Sequence, residues 1–79
     1  MELTVAIARR INELMLQNNL TQYGLSVKSG INQSVISRIL NHKKMTLTIH
    51  TIYAFTMGLN ISLPEFFNSP LFFTENLAD

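Results

Sequence analysis

Few side chains in this sequence could do covalent or metal chemistry. It has no cysteine and two histidines, His42 and His50. The histidines fall on different predicted elements with no third ligand of metal type nearby, which argues against a metal centre. Ser34 and Ser37 lack a companion base at a spacing that could activate a nucleophile. No glycine-rich phosphate-cradling loop is present. No enzyme activity, cofactor or small-molecule ligand is therefore expected. What the sequence does offer is a short run of amide, hydroxyl and guanidinium groups: Gln33, Ser34, Ser37 and Arg38. A glutamine can bond adenine N6 and N7, an arginine can fork onto guanine O6 and N7, and a serine can reach a base or a phosphate. A face that is only solvated would more often carry Glu and Lys.

The stretch Gln22 to Leu40 must position those groups, and it predicts two short helices joined by a tight turn, Ser29-Gly30-Ile31-Asn32. Gly30 supplies the positive φ of a sharp helix exit without a Cβ penalty. Ile31 plugs the angle between the helices, and Asn32 is suited to cap the next helix through its side-chain oxygen. Leu25, Ile31, Ile36 and Ile39 point inward, and Ser26 is small where two helices approach closely. Gln33, Ser34, Ser37 and Arg38 then point outward.

The rest of the chain reads as a frame around this unit. Residues 3–18 form a first helix with Ile7, Ala8, Ile11, Leu14 and Met15 on one stripe and Arg9, Arg10 and Glu13 largely off it. Asn18-Asn19 ends it, and Thr21 caps the second helix. The third helix ends near Asn41, followed by a basic loop, His42-Lys43-Lys44. Thr48 caps a fourth helix with the stripe Ile49, Ile52, Phe55, Thr56 and Leu59, and Asn60 stops it. Ser62-Leu63-Pro64-Glu65 reads as a capping box that opens a short fifth helix through Phe67. Each proposed cap is bracketed by an apolar pair at hydrophobic-staple spacing: Leu20 with Leu25, Ile31 with Ile36, Leu47 with Ile52, Ile61 with Phe66. Gly24 sits inside the second helix, either for close approach to a phosphate or as tolerated drift. Met15, Met45 and Met57 read as core or gap filling. The prediction is an all-α, five-helix domain over residues 1–68. Residues 69–79 form an apolar tail that either packs back on the domain or covers a partner subunit.

The totals bound the class. A chain of 79 residues with 47% hydrophobic and 14% charged content favours one small domain with a compact core over disorder. No targeting segment or membrane span is visible, and the absence of cysteine fits a reducing cytoplasm. Net charge is only +1, but its distribution is polarised. All six basic residues lie within residues 1–44 against two acids, whereas residues 45–79 carry three acids and no Lys or Arg. The basic half therefore holds the outward polar face.

The joint spacing of Thr21-Gln22, Leu25-Ser26, Gly30-Ile31, Gln33-Ser34 and Ile36-Ser37-Arg38-Ile39, running on through Asn41 and into Leu59-Asn60-Ile61-Ser62-Leu63, resembles the lambda-repressor-like helix-turn-helix family, of the Cro/repressor or xenobiotic-response-element type. The resemblance covers about residues 5 to 68. It implies sequence-specific binding of double-stranded DNA, with the helix at about 33–40 entering the major groove of a palindromic operator, as a homodimeric transcriptional regulator, a repressor in the first instance. Base contacts then fall to Gln33, Ser34, Ser37 and Arg38, with Arg38 able to fall back to a phosphate, and Asn32 either touches a base or only caps. Phosphate contacts fall to Gln22, which also braces Gln33, and to Asn41, Lys43 and Lys44, unless those three only form an ordinary soluble loop. Tyr23 either bonds a phosphate or is a half-buried aromatic. Lys28, Arg9 and Arg10 either flank the DNA backbone or are surface charge. Where the family carries glycine after the recognition helix this chain has His42, so the exit there must differ. The dimer surface is expected around the fourth and fifth helices and the tail: Leu59, Leu63, Phe66, Phe67, Leu71 and Phe72, unless those side chains simply close the core. The alternative is a protein-interaction module, such as an antitoxin or a phage accessory protein, that keeps the fold with little or no DNA binding.

Overall fold

A computed structural model describes residues 1–41 and 47–78. Among them are five α-helices, α1 (Leu3–Gln17), α2 (Gln22–Ser29), α3 (Gln33–Leu40), α4 (Ile49–Leu59) and α5 (Leu63–Phe67), then two single 3-10 turns at Pro70–Phe72 and Thr74–Asn76. No strand occurs among the described residues. His42, Lys43, Lys44 and Met45, which the sequence places in a basic loop and in gap filling, lie outside the described residues.

Local chemistry sets the element ends. Thr21, Thr48 and Ser62 each accept a bond from the backbone N–H three residues on, satisfying one of the otherwise unpaired donors of a helix start. Asn19 and Asn60 adopt positive φ where α1 and α4 stop. All eight staple residues join the core: Leu25, Ile36, Ile52 and Phe66 are buried, and Leu20, Ile31, Leu47 and Ile61 pack half-buried against the same cluster. Two caps fall short of expectation. Asn32 precedes α3, but it is exposed and its side chain makes no capping bond. The box at α5 is half formed. Ser62 accepts from the Glu65 N–H, while the exposed Glu65 carboxylate makes no return bond among the described residues.

The core runs through every helix: Ile7, Ile11, Leu14 and Met15 from α1, Leu25 from α2, Ile36 and Ile39 from α3, Ile52, Phe55 and Leu59 from α4, and Phe66 from α5. One close approach is between backbones. A Cβ added at Gly58 of α4 would lie 2.8–2.9 Å from the Lys28 and Ser29 backbone at the end of α2, so only glycine lets α4 lie flush against α2.

Three expectations about the frame are corrected. Arg10 is buried, not a surface charge. Its Nε donates to the Phe66 carbonyl at 2.7 Å and its Nη2 to the Glu65 carbonyl at 2.8 Å. Those carbonyls belong to the last turn of α5, where acceptors lack helical partners and a cation is favoured. Ile49 and Met57 lie on the outer face of α4, so neither fills the core. Leu59 and Phe66 are buried within the protomer and cannot offer a dimer surface; they close the core. Residues 69–78 fold back: Phe72 stacks on Phe66 and Phe67 at ring-centroid distances of 6.2 and 5.0 Å. Ser69 ends the path of α5 but caps the turn at Pro70–Phe72 by accepting from the Leu71 N–H, and the Ala78 N–H reaches the Met1 carbonyl at 2.8 Å.

The two helical glycines should respond oppositely to alanine. At Gly24 a methyl would meet only the Leu20 and Thr21 side chains at 3.4 Å, so Gly24→Ala should raise stability by about 0.4–1 kcal/mol. Gly58→Ala must lift α4 from α2 and should cost about 1–3 kcal/mol despite the better helix former. Urea unfolding of both variants checks this; a destabilised Gly24→Ala or a neutral Gly58→Ala contradicts the contact described.

Candidate nucleic-acid interface

The turn between α2 and α3 is built from its own residues. Gly30 takes φ 74°, ψ 7°, and its N–H donates to the Ser26 carbonyl at 2.9 Å, the left-handed helix exit that Gly adopts without strain. The Ser26 hydroxyl then reaches across the turn to the Ile31 carbonyl, and the Ile31 N–H donates to Ser29 Oγ. Sequence reasoning valued Ser26 for its size and missed its hydroxyl; a serine four residues before a turn glycine, within reach of the carbonyl beyond it, was the available signal. These bonds fix the angle at which α3 leaves α2.

With Ile36 and Ile39 buried, the opposite face of α3 is turned to solvent. Asn32, Gln33, Ser34 and Arg38 are exposed and Ser37 is half-exposed, all on one short rod. Gln33, Ser34 and Arg38 make no hydrogen bond or ion pair among the described residues. The structure thus brings together the five side chains expected to face bases. The unused Asn32 amide joins them.

The flanking groups divide. Tyr23 is 67% exposed, so the half-buried reading fails and its hydroxyl is free to reach a neighbouring molecule. Gln22 is half-buried at the start of α2, and no bond joins it to Gln33 among the described residues; the expected brace is absent. Lys28 and Arg9 are exposed. Asn41 is exposed and its side chain is folded back on the last turn of α3. Its Nδ2 donates to the Ser37 carbonyl at 2.8 Å and to Ser37 Oγ at 3.2 Å.

A family model described as helix-turn-helix matches residues 11–66, most of the chain and all of the unit just described. The chain belongs to the helix-turn-helix family of lambda-repressor-like, xenobiotic-response-element type. That family is one of DNA-binding regulators. Among solved structures, the restriction-modification controller protein C.Esp1396I is similar over 85% of this chain and 86% of that one, with 28% identity and a TM-score of 0.78. A tyrosine-to-phenylalanine mutant of the same protein matches over the same shares at 30% identity and the same TM-score. No curated protein matches. No described helix is long and apolar enough to cross a membrane.

Gln33→Ala and Arg38→Ala each remove an exposed group with no partner among the described residues. Each should leave stability within about 0.5 kcal/mol while costing roughly 1–3 kcal/mol of affinity for a preferred duplex and relaxing selectivity at one base pair. Competition binding against point-substituted duplexes measures this, and an unchanged affinity for Gln33→Ala removes that residue from the reading face.

Proposed function

We propose that this protein is a sequence-specific regulator of transcription, acting as a repressor, that places α3 in the major groove of double-stranded DNA. The observation that carries this is the exposed polar face of α3, whose Gln33, Ser34 and Arg38 have no partners among the described residues. Gln33 is suited to adenine and Arg38 to guanine. Gln22, Tyr23, Lys43 and Lys44 are assigned to phosphates; the neighbouring exposed Lys28 adds to the positive potential that draws DNA in. The similarity to a restriction-modification controller protein supports a regulatory role.

Two copies on a palindrome would set their recognition helices about 34 Å apart, one turn of the duplex. The surface proposed for pairing with the second copy is what α4, α5 and the tail leave outside: Ile49, Tyr53 and Met57 at four-residue spacing on α4, with half-buried Leu63, Phe67, Leu71 and Phe72. Residues of α4 include no Asp, Glu, Lys or Arg. Its exposed stripe is centred on Tyr53, so it can meet itself about a two-fold axis without a buried charge.

The competing protein-interaction module would use the same exposed apolar side chains with no duplex. Binding to random duplexes at several salt concentrations separates the two, because phosphate contacts release counterions and an interaction module shows no such slope. On the DNA-binding reading, Lys43→Ala should weaken all sequences alike and lower the salt slope by about one. A separate measurement tests pairing. Met57→Glu, at a 64% exposed position, should keep fold stability within about 0.5 kcal/mol yet shift sedimentation toward monomer; an unchanged dimer sinks the assigned surface.

A further inference from the structure

Thr21, Thr48 and Ser62 cap α2, α4 and α5 from backbones at φ −85°, −100° and −86°, with ψ 170°, 156° and 162°. Asn32 holds the same place before α3, but its backbone lies at φ −58°, ψ 134° and its side chain makes no capping bond. Asparagine caps as well as serine does, so what departs here is the backbone and not the residue type. The exposed Asn32 amide has no partner among the described residues.

The cause lies one residue earlier. The first acceptor of α3 is the Asn32 carbonyl, which takes the Val35 and Ile36 N–H groups, so the Ile31 carbonyl falls outside the helix. The Ser26 hydroxyl of α2 holds it instead. On the other side of the same residue, the Ile31 N–H is held by Ser29 Oγ at 3.2 Å. The peptide joining Ile31 to Asn32 is planar. Gripping its oxygen therefore also fixes its nitrogen, and with it the plane from which the φ of Asn32 is set. Ser26 thus holds the entry into α3 from outside, in a conformation unlike that of the three capping residues. Asn32 is left exposed beside Gln33 and Ser34.

We propose that Asn32 is a specificity-determining residue that bonds an adenine edge in the major groove, and that Ser26 is the positioning residue that keeps it available by holding it out of the capping conformation. An amide presents an acceptor beside a donor, the complement of the adenine N6 amino group and N7. Guanine puts a second acceptor where adenine has its amino group, and neither pyrimidine offers the pair. This role rests on the DNA-binding reading of α3. It adds a second amide reader ahead of Gln33, and it makes a residue bonded inside the turn decide what that reader can reach.

The test is selection from a random duplex library with the full chain as wild type, Asn32→Ala, Ser26→Ala, the two combined, and Ser62→Ala, alongside thermal unfolding of each. Ser62→Ala removes a side-chain bond from the start of α5 and controls for lost stability. Wild type should favour adenine at one strand position by roughly five- to a hundredfold, the range of one bidentate pair. Asn32→Ala should level that position alone and leave the melting temperature within about 3 °C, because no cap is lost. Ser26→Ala should level the same position, and Ser62→Ala should not. With Ser26 replaced, Asn32 is free to cap. Adding Asn32→Ala to Ser26→Ala should then lower the melting temperature by roughly 4–8 °C, the size of one cap in a domain this small, with no further change in base preference. An equal drop in melting temperature for Asn32→Ala in both backgrounds, with base preferences unchanged, makes Asn32 a plain cap and overturns the proposal. An adenine preference that survives Ser26→Ala, or is lost equally in Ser62→Ala, overturns the positioning role of Ser26. Salt-dependent duplex binding by wild type with no position that Asn32→Ala levels overturns this inference alone. If wild type shows no salt-dependent duplex binding, the DNA-binding reading falls and this inference with it.

Discussion

Everything that displays α3 depends on how closely α4 can lie against α2. A helix of eight residues is too short to hold itself in water; α2 and α3 persist because they are packed on neighbours. At Gly58 that packing is backbone on backbone, with the place a Cβ would take lying under 3 Å from the Lys28–Ser29 peptide. The contact falls at the C-terminal end of α2, immediately before the Gly30 turn. Any displacement there would tilt α3 directly, since the Ser26, Gly30 and Ile31 bonds make the turn a rigid coupling. Stability and the aim of the reading face therefore share one structural cause.

Charge is used in two different ways. Arg10 spends its guanidinium inside the protein, holding α1 to the final turn of α5 through two carbonyls, with Glu13 3.4 Å away as its acidic neighbour. A buried cation is tolerable only when its donors are paired, and the α5 terminus supplies acceptors that would otherwise lack partners. Arg38 is left exposed and without partners among the described residues. The basic half of the chain thus yields one of its six cations to the core and keeps others, Arg9, Lys28 and Arg38, on the outside. For a domain of net charge +1, that placement matters more than the total.

The tail closes the far end of the domain. Phe66, Phe67 and Phe72 meet edge to face or tilted, with centroids 5.0–6.2 Å apart, arrangements that aromatic quadrupoles favour. This cluster lies over the same α5 turn that Arg10 grips. Aromatic burial and a charge-assisted cap therefore converge on a five-residue helix that could not stand alone, and they use up part of the apolar surface that pairing would otherwise call on. Ile49, Tyr53 and Met57 of α4 stay outside, as does Phe73 of the tail.

The sequence by itself determined the features that are closed within a few residues. Thr21, Thr48 and Ser62 cap because their oxygens reach an N–H three positions on; Gly30, Asn19 and Asn60 stop helices because they tolerate positive φ. The staples and the outward set Gln33, Ser34, Ser37 and Arg38 follow from helical periodicity. The tertiary structure alone decided what depends on distant partners. Arg10 looked like surface charge until the α5 carbonyls 55 and 56 residues away met it. Leu59 and Phe66 looked available for a partner until the core enclosed them. Gly58 carried no meaning until α2 lay against it. Periodicity gives the direction of a side chain from its own axis, but not what stands in that direction.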